Sequence, residues 1–420
     1  MNTNSHDDNY SENAEYKQYI QSIYKYNIAA LVISWVIWSP LSSMYRPYYQ
    51  VYAKELGATP FILSLIAFSS IITMGVSKLA GGYVADKHGR KKIIVYLTFA
   101  VASSYLIFAF APDWRWLIIG EVLGGIAILY QPALAGLMYD STPKEKRGKI
   151  FGVYNFIPSA LAAVSPLFAV YLVSQYSVVP AVRLIFLLMF VGGIFVGLIR
   201  ATLLRETLVE EMRDQARNTS FGHAYKEAIH FIKERYLHVL LVAVLISTAA
   251  TLSFLVTYYS IYFLKIDYVT WGLIWIIGSI AGVIITIPMG FLVDRIGRRP
   301  TLLLSISLLA WAYFLYFSAP YSLLLISVVF VVAMAEIFRN IANYSFSVVY
   351  PSLTTDIVPP ELRGRVSSVS SLLINLIASA ISLIAGIIYM ELGANIPFLL
   401  STIILLVTFI LATLTVSETK

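Results

Sequence analysis

Cysteine is missing from all 420 residues. Its absence excludes disulfide staples, thiol chemistry and thiolate metal sites. Histidine is scarce: the five, at 6, 88, 223, 230 and 238, stand in or beside polar segments and read as surface residues. The chain also lacks a His–Glu metal motif and a glycine-rich phosphate loop ending in Lys and Ser or Thr. No metal and no cofactor are therefore expected, and an enzyme is the weakest reading. Charged residues make up 13% of the chain, against roughly 25% in an ordinary soluble domain. The formal charge of +7 would suggest nucleic acid in a soluble protein. Here the placement of the charges matters more, and no nucleic-acid partner is expected.

What fills the chain is apolar: 59% of residues. Twelve stretches reach the roughly 20 residues that a helix needs to cross a bilayer. They run over about 27–52, 60–83, 93–111, 115–138, 150–174, 181–203, 237–263, 270–292, 301–319, 322–349, 366–390 and 396–416. So many runs with short connectors cannot share one soluble core. With both termini cytoplasmic, 22 of the 30 Lys and Arg fall in inner segments and four in outer ones. That bias is the positive-inside pattern of a multi-pass cell-membrane protein. Residues 1–25 read as a disordered cytoplasmic tail, too polar to bury.

An internal repeat divides the chain. Gly82, Asp86, Lys87, Gly89, Arg90 and Lys91 follow the second run, and Gly290, Asp294, Arg295, Gly297, Arg298 and Arg299 follow the eighth. The offset is 208 at every matched position. Asp140, Glu145, Arg147 and Gly148 follow the fourth run, and Asp356, Glu361, Arg363 and Gly364 follow the tenth, 216 residues on. A fainter pair, Glu206–Thr207 and Glu418–Thr419, follows the sixth and twelfth. The halves are then 26–204 and 237–416, with a polar cytoplasmic linker over 205–236 and a tail over 417–420. Related halves around a midplane site suit alternating access.

The loop pattern of Gly82, Asp86, Lys87, Gly89, Arg90 and Lys91, with its second copy, resembles the signature of the major facilitator superfamily. The resemblance covers Tyr26 to the C-terminus. It implies an all-α membrane protein with a major-facilitator-like fold, twelve transmembrane helices in two six-helix halves. It also implies that Arg90 pairs with Asp140 and Arg298 with Asp356. Asp86 would meet the start of the eleventh span near Arg363 and Arg365, and Asp294 the start of the fifth. Together with Gly82, Gly89, Arg147, Gly290 and Gly297, these residues would latch the halves during the cycle. Simple anchoring of loops at the headgroups is the alternative.

Ionisable residues inside a span are functional candidates by default. Glu121 stands where the superfamily carries an arginine, and hydration near the outer surface is its bland alternative. Glu336, Arg339, Asn340, Asn343 and Ser347 share one face of the tenth span by helical spacing. They read either as a cavity lining that meets ligand or proton, or as a structural ion pair. Arg46 reaches an acid, an anionic substrate or the outer surface. Lys78 snorkels inward or serves transport. In the superfamily spans one, four, seven and ten line the cavity, which makes Tyr45, Tyr49, Tyr258 and Tyr262 candidate walls. Asn375 gives span eleven a polar side. Span five keeps Gly152 and Pro166 of the family's antiporter motif, with Leu161, Ser165 and Ala169 at its other positions.

The resulting expectation is a secondary transporter of a small organic solute. Its partners are the lipid bilayer, the solute and protons, with export as one direction and the monomer as the working unit. The alternatives are a facilitator or importer of sugars, organic acids or other metabolites, and a non-transporting receptor or membrane enzyme.

Overall fold

The computed structural model describes residues 14–143, 147–207, 221–324, 327–359 and 361–418. It is nearly all helix, and twelve helices are long and apolar enough to cross a membrane. They are Tyr24–Glu55, Pro60–Gly81, Arg90–Ala109, Trp114–Asp140, Ile150–Tyr176, Val178–Leu203, Tyr225–Phe263, Tyr268–Ile296, Arg298–Ser322, Val328–Ile357, Arg363–Glu391 and Ile396–Thr415, named below as the first to twelfth spans. An unpaired backbone amide in hydrocarbon costs several kcal/mol, so the apolar runs fold as helices throughout.

The third span packs on the sixth, and the ninth on the tenth and twelfth. Between the halves the second span runs along the eleventh, and the fifth meets the eighth. The bundle has two ends. The terminal face carries the start of the first span and the second-to-third and eighth-to-ninth turns. The far face carries the turns around Gly57 and Asp267. Asp113 caps the fourth span by accepting from Arg115 N (2.8 Å). Asp267 caps the eighth by accepting from Thr270 N (2.9 Å).

Four spans are interrupted. A 3-10 turn over Arg46–Tyr48, with Pro47 inside it, breaks the first. Ile128–Tyr130 breaks the fourth just before Pro132. The fifth restarts at Pro166, where a proline cannot donate to the helix ladder. The seventh has no proline, yet it opens at Ser253–Leu255 and ends in a π turn over Tyr259–Phe263. The helix Phe221–Phe231 overlaps the start of the seventh span and leads through a π turn into its long segment Leu237–Leu252. Its Tyr225 hydroxyl donates to Leu79 O of the second span (3.5 Å), while Glu227 stands 4.0 Å from Arg365 of the eleventh.

The sequence repeat reappears as repeated bonding on the terminal face. Arg90 pairs with Asp140, and Arg298 with Asp356 at 2.9 Å, both as expected. Gly89 (φ 93°) and Gly297 (φ 100°) start the third and ninth spans, in a backbone region that L side chains avoid. Glu206 then accepts from Lys91 N (3.0 Å). Glu418 accepts from Arg298 N (2.8 Å) and Arg299 N (3.2 Å). A carboxylate at a helix start meets unpaired amides and a favourable dipole. The fainter Glu–Thr repeat thus has a physical role: each copy caps the span that follows its half's glycine turn.

Candidate functional site

The space between the halves is closed at the far face by the interrupted parts of the first and seventh spans and the start of the eighth. Tyr48 donates its hydroxyl to Tyr268 O (2.9 Å). Trp271 Nε1 donates to Pro47 O (2.9 Å), and Tyr262 donates to Glu55 Oε1 (3.0 Å). Between them lies Gln50. Its Nε2 donates to Phe254 O (2.7 Å), and its Oε1 accepts from Tyr258 N (2.9 Å). Those two backbone groups stand four residues apart, the pair that would bond one another in an unbroken α-helix. The Gln50 amide is inserted into the seventh span's ladder where that helix opens. One further bond between the halves, Ser382 Oγ to Ser64 O (3.4 Å), sits on the far side of the second and eleventh spans. Apart from the bond from Tyr225 to Leu79 O, the hydrogen bonds joining the two six-helix halves among the described residues gather toward the far face.

Below this closure, on the first half's side, is an aromatic cluster. Tyr45 and Tyr49 pack with ring centroids 5.6 Å apart, and both meet Phe186. Trp38 and Phe108 reach Tyr105 at 5.6 and 5.9 Å. Inside the cluster the Tyr49 hydroxyl donates to Glu121 Oε1 (2.7 Å), and Ser70 of the second span also faces that carboxylate. No basic side chain pairs with Glu121 among the described residues.

The second half arranges its acid differently. Glu336 is 0% exposed. Arg339 grips both carboxylate oxygens, with Nε at 2.8 Å from Oε2 and Nη2 on Oε1. Asn340 Nδ2 donates to Oε1 (2.9 Å), and the Tyr316 hydroxyl to Oε2 (2.7 Å). Arg339 also lies over the Trp275 ring, 5.6 Å from its centroid. Gly278 lets the eighth span approach Glu336 and Asn340, because a Cβ there would sit 2.8 Å from both side chains.

The structure brings some of the expected site residues together and separates others. Tyr45, Tyr49 and Glu121 form one cluster; Glu336, Arg339 and Asn340 form another. Tyr258 packs on Tyr262 (4.8 Å) and Tyr389 (5.8 Å) within the far closure. Asn343 is exposed. Asn375 donates to Ser371 O and packs against Gly75 of the second span. Arg46 is exposed and forms no ion pair with Glu121 or Glu336. Lys78 is half-buried, with no carboxylate partner among the described residues. Of the residues expected to latch the halves, Arg363 donates to Thr355 O and Val358 O of its own half. Asp294 is exposed, without an ion pair among the described residues. Gly290 has open space around it. The side chains at Gly82, Asp86 and Arg147 lie outside the described residues.

Sequence reasoning missed Gln50, Tyr316, Trp275 and the Tyr105–Phe108–Phe186 part of the cluster. Gln50 carried a usable signal, since a lone amide in an apolar run must find partners or pay several kcal/mol. The aromatics carried none among so many others. Arg200 lies within the sixth span. It is 2% exposed, donates to Thr98 Oγ1 (2.7 Å) and lies 5.3 Å from the Tyr130 ring centroid.

Comparison with known proteins agrees with this architecture. The Major Facilitator Superfamily model matches residues 29–349 and 264–420. Among curated proteins, the quinolone resistance protein NorA of Staphylococcus aureus is 30% identical over 112 residues, 26% of this chain and 29% of that protein. A Na(+), Li(+), K(+)/H(+) antiporter of Planococcus maritimus is 29% identical over 140 residues, 32% of each. The matched stretch thus spans less than a third of either relative's length. Among solved structures, the inward open xylose transporter XylE of E. coli has a TM-score of 0.69 at 17% identity, covering 96% of this chain and 97% of that one. The nucleoside transporter NupG has a TM-score of 0.71 at 15% identity, covering 93% and 100%. At such identities the likeness shows the fold alone.

Proposed function

Because this chain belongs to the Major Facilitator Superfamily, and so is a multi-pass membrane transporter, we propose that it couples proton movement to the transport of a small organic solute by alternating access. Residues 26–204 and 237–416 are the rocking halves, joined by the linker over 205–236. The monomer is the transporting unit. The terminal face is cytoplasmic, as the Lys and Arg bias supports, and the membrane is the cell membrane. The far closure is then the outer gate, shut in this conformation. The contact expected of Asp294 with the start of the fifth span would form in the opposite one, when the cavity opens outward.

The observation that carries the proton reading is the contrast between the two intramembrane acids. Glu336 accepts from Arg339, Asn340 and Tyr316 together, and protonating it would break a buried ion pair. Glu121 is met by hydroxyls, from Tyr49 at 2.7 Å and from Ser70. It can take a proton with no more than a hydroxyl turning to accept. On this reading Glu121 is the proton carrier and Glu336 a fixed brace. NorA's name, a quinolone resistance protein, supports export of an amphipathic organic compound, and the Planococcus relative's name supports proton coupling.

The test is flux in proteoliposomes under an imposed pH gradient, across a panel of organic solutes. Glu121→Gln is expected to lose pH-driven accumulation roughly tenfold or more while keeping solute-for-solute counterflow. Undiminished pH-driven flux in that variant removes Glu121 from the mechanism. Loading the panel on either side of the membrane reads the direction.

A further inference from the structure

Arg46 stands apart from the other arginines inside the bundle. Arg339 is neutralised by Glu336, and Arg200 is buried against hydroxyls and the Tyr130 ring. Arg46 is exposed, while the next two residues, Pro47 and Tyr48, are buried. Its backbone is held: the turn Arg46–Tyr48 is anchored through Pro47 O to Trp271, and through the Tyr48 hydroxyl to Tyr268 O. The side chain does not reach for the far surface. Its Nε donates back to Ser42 O (3.3 Å), one turn toward the terminal face. Among the described residues, the two terminal amino groups of the guanidinium have no protein acceptor and no carboxylate lies within ion-pair distance.

The charge also lies between the halves. It acts electrostatically on Tyr45 and Tyr105 of the first half and on Tyr344 of the tenth span, in the second. A fork of donors with fixed geometry, close enough to the Tyr45 and Tyr105 rings to act on them, matches a planar oxyanion carried on an apolar body. A free cation in membrane-length sequence is costly without such a partner.

We propose that the space between the halves takes an amphipathic organic anion, with the oxyanion on Arg46 and the apolar body against the half-buried Tyr45, Tyr49 and Tyr105 rings. The inference rests on the transporter reading above and adds the charge of its solute. Snorkelling to the outer surface does not fit, because the side chain points the other way beneath a closed gate.

Three aromatic probes of one shape and different charge test it: naphthoate, naphthamide and naphthylmethylamine. Their binding to the purified full chain is read by quenching of tryptophan fluorescence, since Trp38 and Trp275 adjoin the cavity clusters. Naphthoate is expected to bind in preference to the other two. Arg46→Gln should weaken it roughly tenfold or more, with Arg46→Lys recovering part of the loss. Melting temperatures of both variants confirm that they fold. Preferential binding of the amine, equal binding of all three, no binding of naphthoate, or unchanged naphthoate binding in folded Arg46→Gln overturns the inference. The transporter reading is judged separately, by counterflow of any solute in the panel, so its failure is distinguishable from this one.

Discussion

Glu121 and Glu336 carry the same carboxylate inside the same bundle, and their neighbours give them different consequences on mutation. Removing the Glu336 carboxylate leaves Arg339 charged, half-buried and unpaired beside Trp275. Breaking a buried ion pair from one side costs about 3–5 kcal/mol. Glu336→Ala should therefore lower the melting temperature in detergent strongly, and Glu121→Ala far less. Equal shifts would count against the brace assignment. A second residue-scale effect belongs to Asp267, outside the membrane. The Thr270 side chain and amide hold its carboxyl below the ordinary value of 3.8. A depressed carboxyl stabilises the fold fully above its ordinary value and loses that contribution as pH falls through the lower, folded one. Asp267→Ala should thus cost about 1 kcal/mol as a lost helix cap near neutral pH. The gap to the parent should begin to close only below pH 3.8, as thermal melts at a series of pH values would read.

At the scale of the element, the seventh span is the most informative. Its opening at Ser253–Leu255 has no proline or glycine to announce it, and its cause lies 204 residues away in Gln50. No local pattern could have revealed that bond, because periodicity reports one helix at a time. The same limit hid Tyr316, which reaches Glu336 from the ninth span. What the local pattern does reveal came through well. The twelve runs are helices, and the repeated loop residues supply Arg90–Asp140 and Arg298–Asp356. The fainter Glu206 and Glu418 repeat was legible as a repeat, though its capping role was not. Gln50→Leu should let Phe254 O and Tyr258 N re-form the helical bond. Losing two bonds between the halves, each worth about 0.5–1.5 kcal/mol, should shift the population toward an open far face. Increased labelling of a reporter cysteine in that closure would show it. Gly297→Ala, placed at φ 100° against Glu418, should cost at least about 1 kcal/mol and loosen the start of the ninth span.

For the whole molecule, the distribution of bonds defines a state closed at the far face, one of the two that the proposed cycle requires. Five hydrogen bonds among Pro47, Tyr48, Gln50, Glu55 and the 254–271 segment close the far face. Their combined worth, a few kcal/mol, is the size that a solute or a proton gradient can overturn. The absence of native cysteine makes the state readable. A cysteine at exposed Ser347 on the tenth span's polar stripe should react with a membrane-impermeant maleimide in inside-out vesicles. One at exposed Glu55 should react in right-side-out cells. The reverse pattern would invert the assignment of the two faces.

The far closure also has a hereditary consequence. Tyr48, Gln50 and Trp271 bond to main-chain atoms of Tyr268, Phe254, Tyr258 and Pro47, and the partner's side chain plays no part in those bonds. A substitution on the main-chain side leaves the bonding backbone atom in place, so no matching change is called for on the other. These contacts should leave little trace of paired substitution among descendants. Drift at Phe254 or Tyr268 is then free to follow lipid or solute, while the gate goes on reading the course of the chain.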